Sequence, residues 1–522
     1  MTRGIILAIL PLLGILAFTG TPQRKAILLF PPDSLPGAIN TPRIAINLDK
    51  AIDVQIDPNT RDLAPVVFHT SDGKRGWGVR IPGARPIATP CFADGLLFVG
   101  GGYGSRDFHA FDATTGRNVW SVKTSDDGPT AAVEEDGYVA FNTESCTVIV
   151  VEAKTGKLVW QEWLGDPLMS QPAVSNGRLF ISHPASGRGN IGQTQSILPH
   201  ANVDGSQLPP SPWNGGDSLV GGSGNHRMLC ADLRTGRHVW SYAIPGDVIT
   251  APVVDGDRLY FTCFNGTSFC LNAVTGEELW QEENAGTSAP LIVRGQAIFS
   301  ARDEHNGSTV EGMVIADTAG GRALHGGMFA AGDALHLLPG GGGGVGISQE
   351  EQAALDGSVG FSTPPATAKL GAADRHLGVS TVVGAWAYQG ARAVYDNGRL
   401  MNAQGVYLNS VDADQGALRW RAEAQGVAVG TRGQIFLPPA VGGGNLYVAT
   451  ILGHLLSVRS DDGALRFNYN VHHPIAFQPV LANGNMYVGT TDGWLICLQL
   501  EDPEADGWYA WGGNGAHNKV EE

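Results

Sequence analysis

One short phrase recurs along this chain about every forty residues, and it limits the fold more tightly than any other feature. It reads AFDATTGRNVW at 110–120, VVEAKTGKLVW at 150–160, CADLRTGRHVW at 230–240, CLNAVTGEELW at 270–280 and SVDADQGALRW at 410–420. Each copy ends in a Trp four residues after a Gly: Gly116 with Trp120, Gly156 with Trp160, Gly236 with Trp240, Gly276 with Trp280 and Gly416 with Trp420. Worn copies at 315–325 and 457–467 put His325 and Phe467 at the Trp position, the latter after Gly463, and an isolated copy at 67–77 ends in Trp77. A second phrase, an apolar stretch, a tight turn and a strand, precedes the copies, as in PAVSNGRLFIS at 172–182 and PVVDGDRLYFT at 252–262. Each phrase occurs eight times.

The physics of one unit follows from its residues. Leu179-Phe180-Ile181 is apolar on both faces of a strand, so protein must cover both. The TG or DG pair supplies a residue tolerant of positive φ for a hairpin turn. Asp112, Glu152, Asp232, Asn272 and Asp412, four residues before the Gly, can accept hydrogen bonds from turn backbone. The Trp fills space between neighbouring units. A unit of four strands cannot cover its own faces, but a ring of units can. The expected fold is therefore all-β, an eight-bladed propeller over 67–500. The unit at 479–500 lacks a Trp half and the copy at 67–77 lacks a preceding hairpin, so strands from both ends of the chain are expected to close the ring. Composition agrees: Gly is 72 of 522 residues, about 14% and roughly twice the usual share, while charged residues are only 16%.

The xxDAxTGxxxW signature resembles the tryptophan-docking repeat of the quinoprotein-like propellers, the pyrroloquinoline-quinone-like repeat family, over residues 67–500. That family includes quinone-dependent alcohol dehydrogenases. It also includes non-enzymatic members, among them the eight-bladed lipoprotein of the outer-membrane β-barrel assembly machine. The resemblance implies the fold, but the repeats are structural and name no reaction. Family dehydrogenases use a bound Ca²⁺, a catalytic Asp and a vicinal disulfide against the quinone. This chain has no adjacent Cys pair, and no Glu, Asn and Asp set in it matches the calcium ligands. The reading is a non-catalytic binding or scaffolding propeller of the cell envelope, with no cofactor expected. The alternative is a dehydrogenase holding pyrroloquinoline quinone and Ca in the propeller channel. No Cys precedes Cys91, so an acylated N-terminal Cys is not expected, which argues against the barrel-assembly role itself.

Residues 4–18 carry no charge and follow Arg3, so 1–20 reads as an export signal or an N-terminal membrane anchor, with 21–66 an extension before the ring. The body is expected to be exported, either periplasmic or anchored to the outer side of the cytoplasmic membrane. The net charge of −16 argues against nucleic acid, and the expected partner is another envelope protein or a cell-surface component of a monomeric ring. Two insertions, at 184–226 and 326–391, break the repeat. The first joins the middle strands of a blade and the second joins two blades, so both are expected on one face, as are the loops at 302–306 and 470–474. The second insertion holds a Gly run at 340–344 and a helix candidate at 348–355. His183, His305, His472 and His473 on that face are weak candidates for a metal cluster, against the plainer reading of scattered solvated side chains. The tail at 501–522, rich in Gly and aromatic residues, is expected to pack across a propeller surface.

Six Cys are present, with no CxxC motif. Cys263 and Cys270 flank a turn, and a short hairpin loop would set them face to face for a disulfide; otherwise they are small core residues. Cys230, Cys270 and Cys497 share a repeat position with Ala110 and Ser410, which supports the second reading. Thr155-Gly156-Lys157 lacks the rest of a P-loop, and Gly221–Gly224 lacks the GxSxG pattern.

Overall fold

Each pair of phrases folds into one four-stranded antiparallel sheet, and eight sheets form a ring. The computed structural model describes residues 40–185, 218–326 and 392–520, except for a few short loops such as 166–169 and 427–435. The segment 1–20, the Gly run, the helix candidate and most of both insertions lie outside the described residues. Blades 1 to 7 occupy 91–123, 133–163, 173–244, 253–283, 291–326, 394–425 and 440–470, and blade 8 begins at 480. In each blade a three-residue strand such as Cys91–Ala93 lies innermost, and the Trp-bearing strand lies toward the outside. Innermost strands of successive blades touch one another, which places them around the axis.

Blade 8 closes the ring as the two incomplete phrases required. Its strands Val480–Ala482, Asn485–Gly489 and Trp494–Gln499 come from the end of the chain, and Arg75–Arg80 pairs antiparallel with the last of them, Cys497 opposite Trp77. The first half of the 67–77 copy does not fill the third-strand place. Pro65–His69 lies outside Arg75–Arg80 as a fifth strand, because the C-terminal Trp494–Gln499 already holds that place. Two more fifth strands come from the same stretch of chain. Arg43–Asn47 pairs parallel with the outer strand of blade 6, and Ile52–Asp53 pairs parallel with that of blade 7. Residues 43–69 are thus a strap over the outer edges of three consecutive blades, capping edges that would otherwise offer unpaired backbone groups. The first insertion ends similarly: Leu219–Gly222 pairs parallel with the outer strand of its own blade 3.

A β-bulge sits at one repeat position in blades 1 to 7. In blade 1 Ala110 pairs with Trp120 and Phe111 with Asn118, so Val119 is skipped. The same shift occurs at Val150/Val151, Cys230/Ala231, Cys270/Leu271, Ile315/Ala316, Ser410/Val411 and Ser457/Val458. A bulge twists its strand and re-aims the next side chain. Here that side chain is the Trp, replaced by His325 in blade 5 and Phe467 in blade 7. Blade 8 has no bulge there, because no turn joins its two partner strands.

Candidate functional site

The channel is where the blades converge, and the tail occupies it. An innermost strand is paired on one side only, so its other edge presents unpaired backbone groups to the axis. The tail answers them. Phe92 N donates to Tyr509 O (2.7 Å), Val174 N to Gly515 O (2.8 Å), Val254 N to Ala516 O (2.9 Å) and Leu481 N to Trp508 O (2.8 Å). Ile292 N donates to Asn518 Oδ1 (3.0 Å), and Asn518 Nδ2 returns a bond to Ile292 O (3.1 Å). One glycine-rich segment therefore bonds to the inner strands of blades 1, 3, 4, 5 and 8. Trp508 and Trp511 are buried within it.

A repeat position missed in the sequence lines the same space. The residues two before the innermost strands include Thr89, Gln171, Arg392 and Gln478, all buried. The signal was available: each stands six residues before the Gly of its inner turn, Gly95, Gly177, Gly398 and Gly484. Gln478 clamps the tail, with Nε2 donating to Pro439 O (2.6 Å) and Oε1 accepting from Gly512 N (2.9 Å). Arg392 donates from Nη2 to Pro290 O (2.8 Å), and its guanidinium lies 5.0 Å from the Trp511 ring centroid. His517 sets Nδ1 against Trp511 O (2.6 Å) and Nε2 against Pro172 O (2.9 Å). Burial, with the Arg392 charge acting in the same direction, pushes its imidazole down to about 4.

The docking residues meet across blade boundaries. Trp77 Nε1 donates to Ala113 O (3.2 Å), Trp120 to Ala153 O (3.0 Å) and Trp160 to Leu233 O (2.8 Å). Trp240 donates to Ala273 O (3.1 Å), Trp280 to Thr318 O (2.9 Å) and Trp420 to Ser460 O (2.9 Å). In every case the carbonyl lies three residues before the Gly of the next blade's turn. Phe467 has no N–H to offer and packs between Tyr447 and Tyr469. In the turns, Asp112, Asp232 and Asp412 accept from backbone N–H groups ahead of the Gly.

The candidate histidines are dispersed. His183 is buried in blade 3, with Nδ1 2.9 Å from Pro184 O. His305 ends a long strand of blade 5. His472 and His473 lie between blades 7 and 8, and each faces its own carboxylate, Asp53 at 3.0 Å and Asp492 at 2.7 Å. Among the described residues no group of three or more His, Cys, Asp or Glu could hold a metal ion. Cys263 and Cys270 do not face one another. Cys263 N donates to Thr267 O and Cys270 pairs with Tyr260, so the turn is tighter than a disulfide register needs and both thiols are free and buried.

The insertions leave the ring at the ends of middle strands and at the links between blades. The middle strands of blade 3 run seven residues, Arg178–Pro184 and His226–Asp232, and those of blade 5 run ten, Gln296–His305 and Ser308–Asp317. Their excess length projects at the same end of the ring, which is also the end where the innermost strands begin.

Comparison with known proteins places this geometry. The chain is 25% identical over 284 residues to the tetrathionate hydrolase of Acidithiobacillus ferrooxidans, covering 52% of this chain and 50% of that protein. It is 25% identical over 221 residues to the outer membrane protein assembly factor BamB of Yersinia pestis, covering 36% of this chain and 54% of that protein. The matches span about half the length of these relatives. A computationally designed protein, Ika8, superposes with a TM-score of 0.51 at 11% identity over 80% of this chain and 98% of its own, which bears on the fold alone. The family model described as outer membrane protein assembly factor BamB matches residues 106–208, 189–327 and 391–514, more than half of the sequence. The chain belongs to that family of pyrroloquinoline-quinone-like repeat propellers.

Proposed function

We propose that this protein is a non-catalytic scaffold of the cell envelope, which holds another envelope protein or a cell-surface component on the face from which the two long insertions leave the ring. The observation that carries the reading is the asymmetry of the two ends. One end extends the middle strands of blades 3 and 5 and bears the insertions. Within the channel, the tail binds the middle residues of the inner strands with its own backbone. Binding residues on loops over a rigid scaffold are the usual division of labour in such folds. Family membership and the apolar stretch at 4–18 support an exported location.

The test replaces 186–217 with a short Gly-Ser linker in the producing cell and compares cross-linked partners by mass spectrometry. The expected result is a variant with an unchanged melting temperature that loses a partner cross-linked to the intact protein. Stoichiometric pyrroloquinoline quinone and Ca in protein purified from a host that makes the quinone, together with dye-linked alcohol oxidation, would overturn the reading in favour of a dehydrogenase.

A further inference from the structure

Arg392 is 3% exposed, and no carboxylate pairs with it among the described residues. Burial pushes its guanidinium down to about 9, so it keeps its charge at neutral pH. A cation removed from water without a counter-charge is costly, and native folds supply one or neutralise the group. This chain carries 50 acidic residues, yet none is placed beside Arg392 among the described residues.

The neighbouring polar groups are unsatisfied in the same sense. Arg392 Nε and Trp511 Nε1 are both buried without a hydrogen-bond partner. Unpaired buried polar atoms mark the place of a water or an ion. These two residues are in direct contact. The Arg392 guanidinium lies over the Trp511 ring, Trp511 packs edge-on against His517 at 5.1 Å, and His517 reaches the carbonyl of Pro172. Arg392 precedes an innermost strand, so the pair lies on the side of the tail turned toward the insertion-bearing face.

We infer that this part of the channel is a binding site for one small anion, an inorganic oxyanion or a short carboxylate, held by Arg392 Nε–H and Trp511 Nε1–H. Both unmet atoms are N–H donors, which an acceptor-only ligand satisfies, and its charge answers the guanidinium. Water would fill the donors and leave the charge. The inference does not rest on the scaffold reading, since a scaffold and an enzyme could each carry such a site.

The test uses the full chain in a gluconate buffer at constant ionic strength, titrated separately with sulfate, acetate and chloride. Binding is read by calorimetry and by tryptophan fluorescence. At least one anion is expected to bind saturably with a stoichiometry of about one and to raise the melting temperature. A response to sulfate alone identifies an oxyanion site, and a response to acetate a carboxylate site. Arg392→Gln and Trp511→Phe are each expected to weaken binding at least tenfold. Trp511→Phe keeps an aromatic face beside the guanidinium and removes the N–H together with one ring of the indole, so it serves as the second variant if Arg392→Gln does not fold. No saturable response to any of the three anions, or equal binding by the intact protein and Trp511→Phe, would overturn the site.

Discussion

Gly276 of blade 4 lies so close to the indole of Trp240 in blade 3 that a Cβ on it would come 2.5 Å from Cδ2. The same indole donates Nε1 to Ala273 O, so one side chain touches both ends of its neighbour's turn. Gly276 also has φ of +78°, and glycine is therefore required twice, by dihedral and by space. Gly116 with Trp77, Gly156 with Trp120, Gly321 with Trp280 and Gly463 with Trp420 repeat the contact. The Gly and Trp of one phrase are thus not partners of each other; each meets the complementary residue of an adjacent blade.

Two glycines of blade 4 separate the two requirements. Gly256 has φ of +60°, and a Cβ on it would meet nothing within 4 Å, whereas one on Gly276 meets Trp240. Gly256→Ala should cost about 1–2 kcal/mol, the price of a left-handed backbone for a residue with a Cβ. Gly276→Ala should cost about 1–3 kcal/mol more, for displacing a packed indole. Denaturant titration checks the pair, and equal costs would mean that the Trp yields freely. In a Gly276→Ala background Trp240→Ala should cost less than it does alone, since the contact is already broken.

Ring closure uses the same dock without a covalent turn. Trp77 is 2% exposed and bonds Ala113 O from a strand contributed by the other end of the chain. Trp77→Ala should destabilise by about 3–5 kcal/mol, as a buried Trp in any blade would. A loss below about 1 kcal/mol would show that the closing strand contributes little to holding blade 8 against blade 1.

All six cysteines are buried, and none is joined in a disulfide. Desolvation pushes the Cys230 and Cys270 thiols up to about 12, away from the reactive thiolate. The native protein should not react with Ellman's reagent at pH 8, and non-reducing denaturation should release six thiols. Four would establish a disulfide, and peptide mapping that assigned it to Cys263 and Cys270 would refute the register there.

His109 should make the ring acid-sensitive. It is buried, with Nδ1 2.8 Å from Ser121 Oγ and Nε2 unpartnered. Burial, partly opposed by the charge of Asp107, pushes its imidazole down to about 4. Between about pH 6.5, the unfolded value, and pH 4 the unfolded chain binds a proton that the folded chain refuses. Stability should therefore fall as pH falls through that window, with this residue contributing at most about 1.4 kcal/mol per unit. His109→Gln should flatten the slope measured between pH 6.5 and 4.5; an unchanged slope would assign the acid sensitivity elsewhere.

The outer hairpin of each blade is legible because its constraints are local in sequence: an acceptor for the turn, a Gly and a Trp at fixed offsets. Ring closure is legible because two phrases are each half complete. The strap at 43–53 leaves no such signal, since a parallel strand on an outer edge is recognised mainly by backbone groups. The separation of Cys263 and Cys270 admits a disulfide in a symmetric hairpin, but the chain turns by Gly266 N donating to Cys263 O, which leaves the core-residue reading that their repeat position supports. Placing the histidines on one face does not give each a blade position, and separate blades keep them apart. Arg392 and Gln171 escape notice because they stand just before the periodic phrase and not in it.

The tail offers the sharpest test of the channel architecture. Ending the chain at 500 removes the acceptors of Phe92, Val174, Val254 and Leu481 N–H. These four amides belong to separate blades, and the tail is the one element that accepts from all of them. Hydrogen exchange should therefore accelerate at all four together. The turn amides of Gly116 and Gly276, which donate to Asp112 O and Asn272 O within their own blades, should keep their protection. If all six amides accelerate, the tail is required for the ring itself to fold. If the four inner amides stay protected, the tail does not occupy the channel in solution.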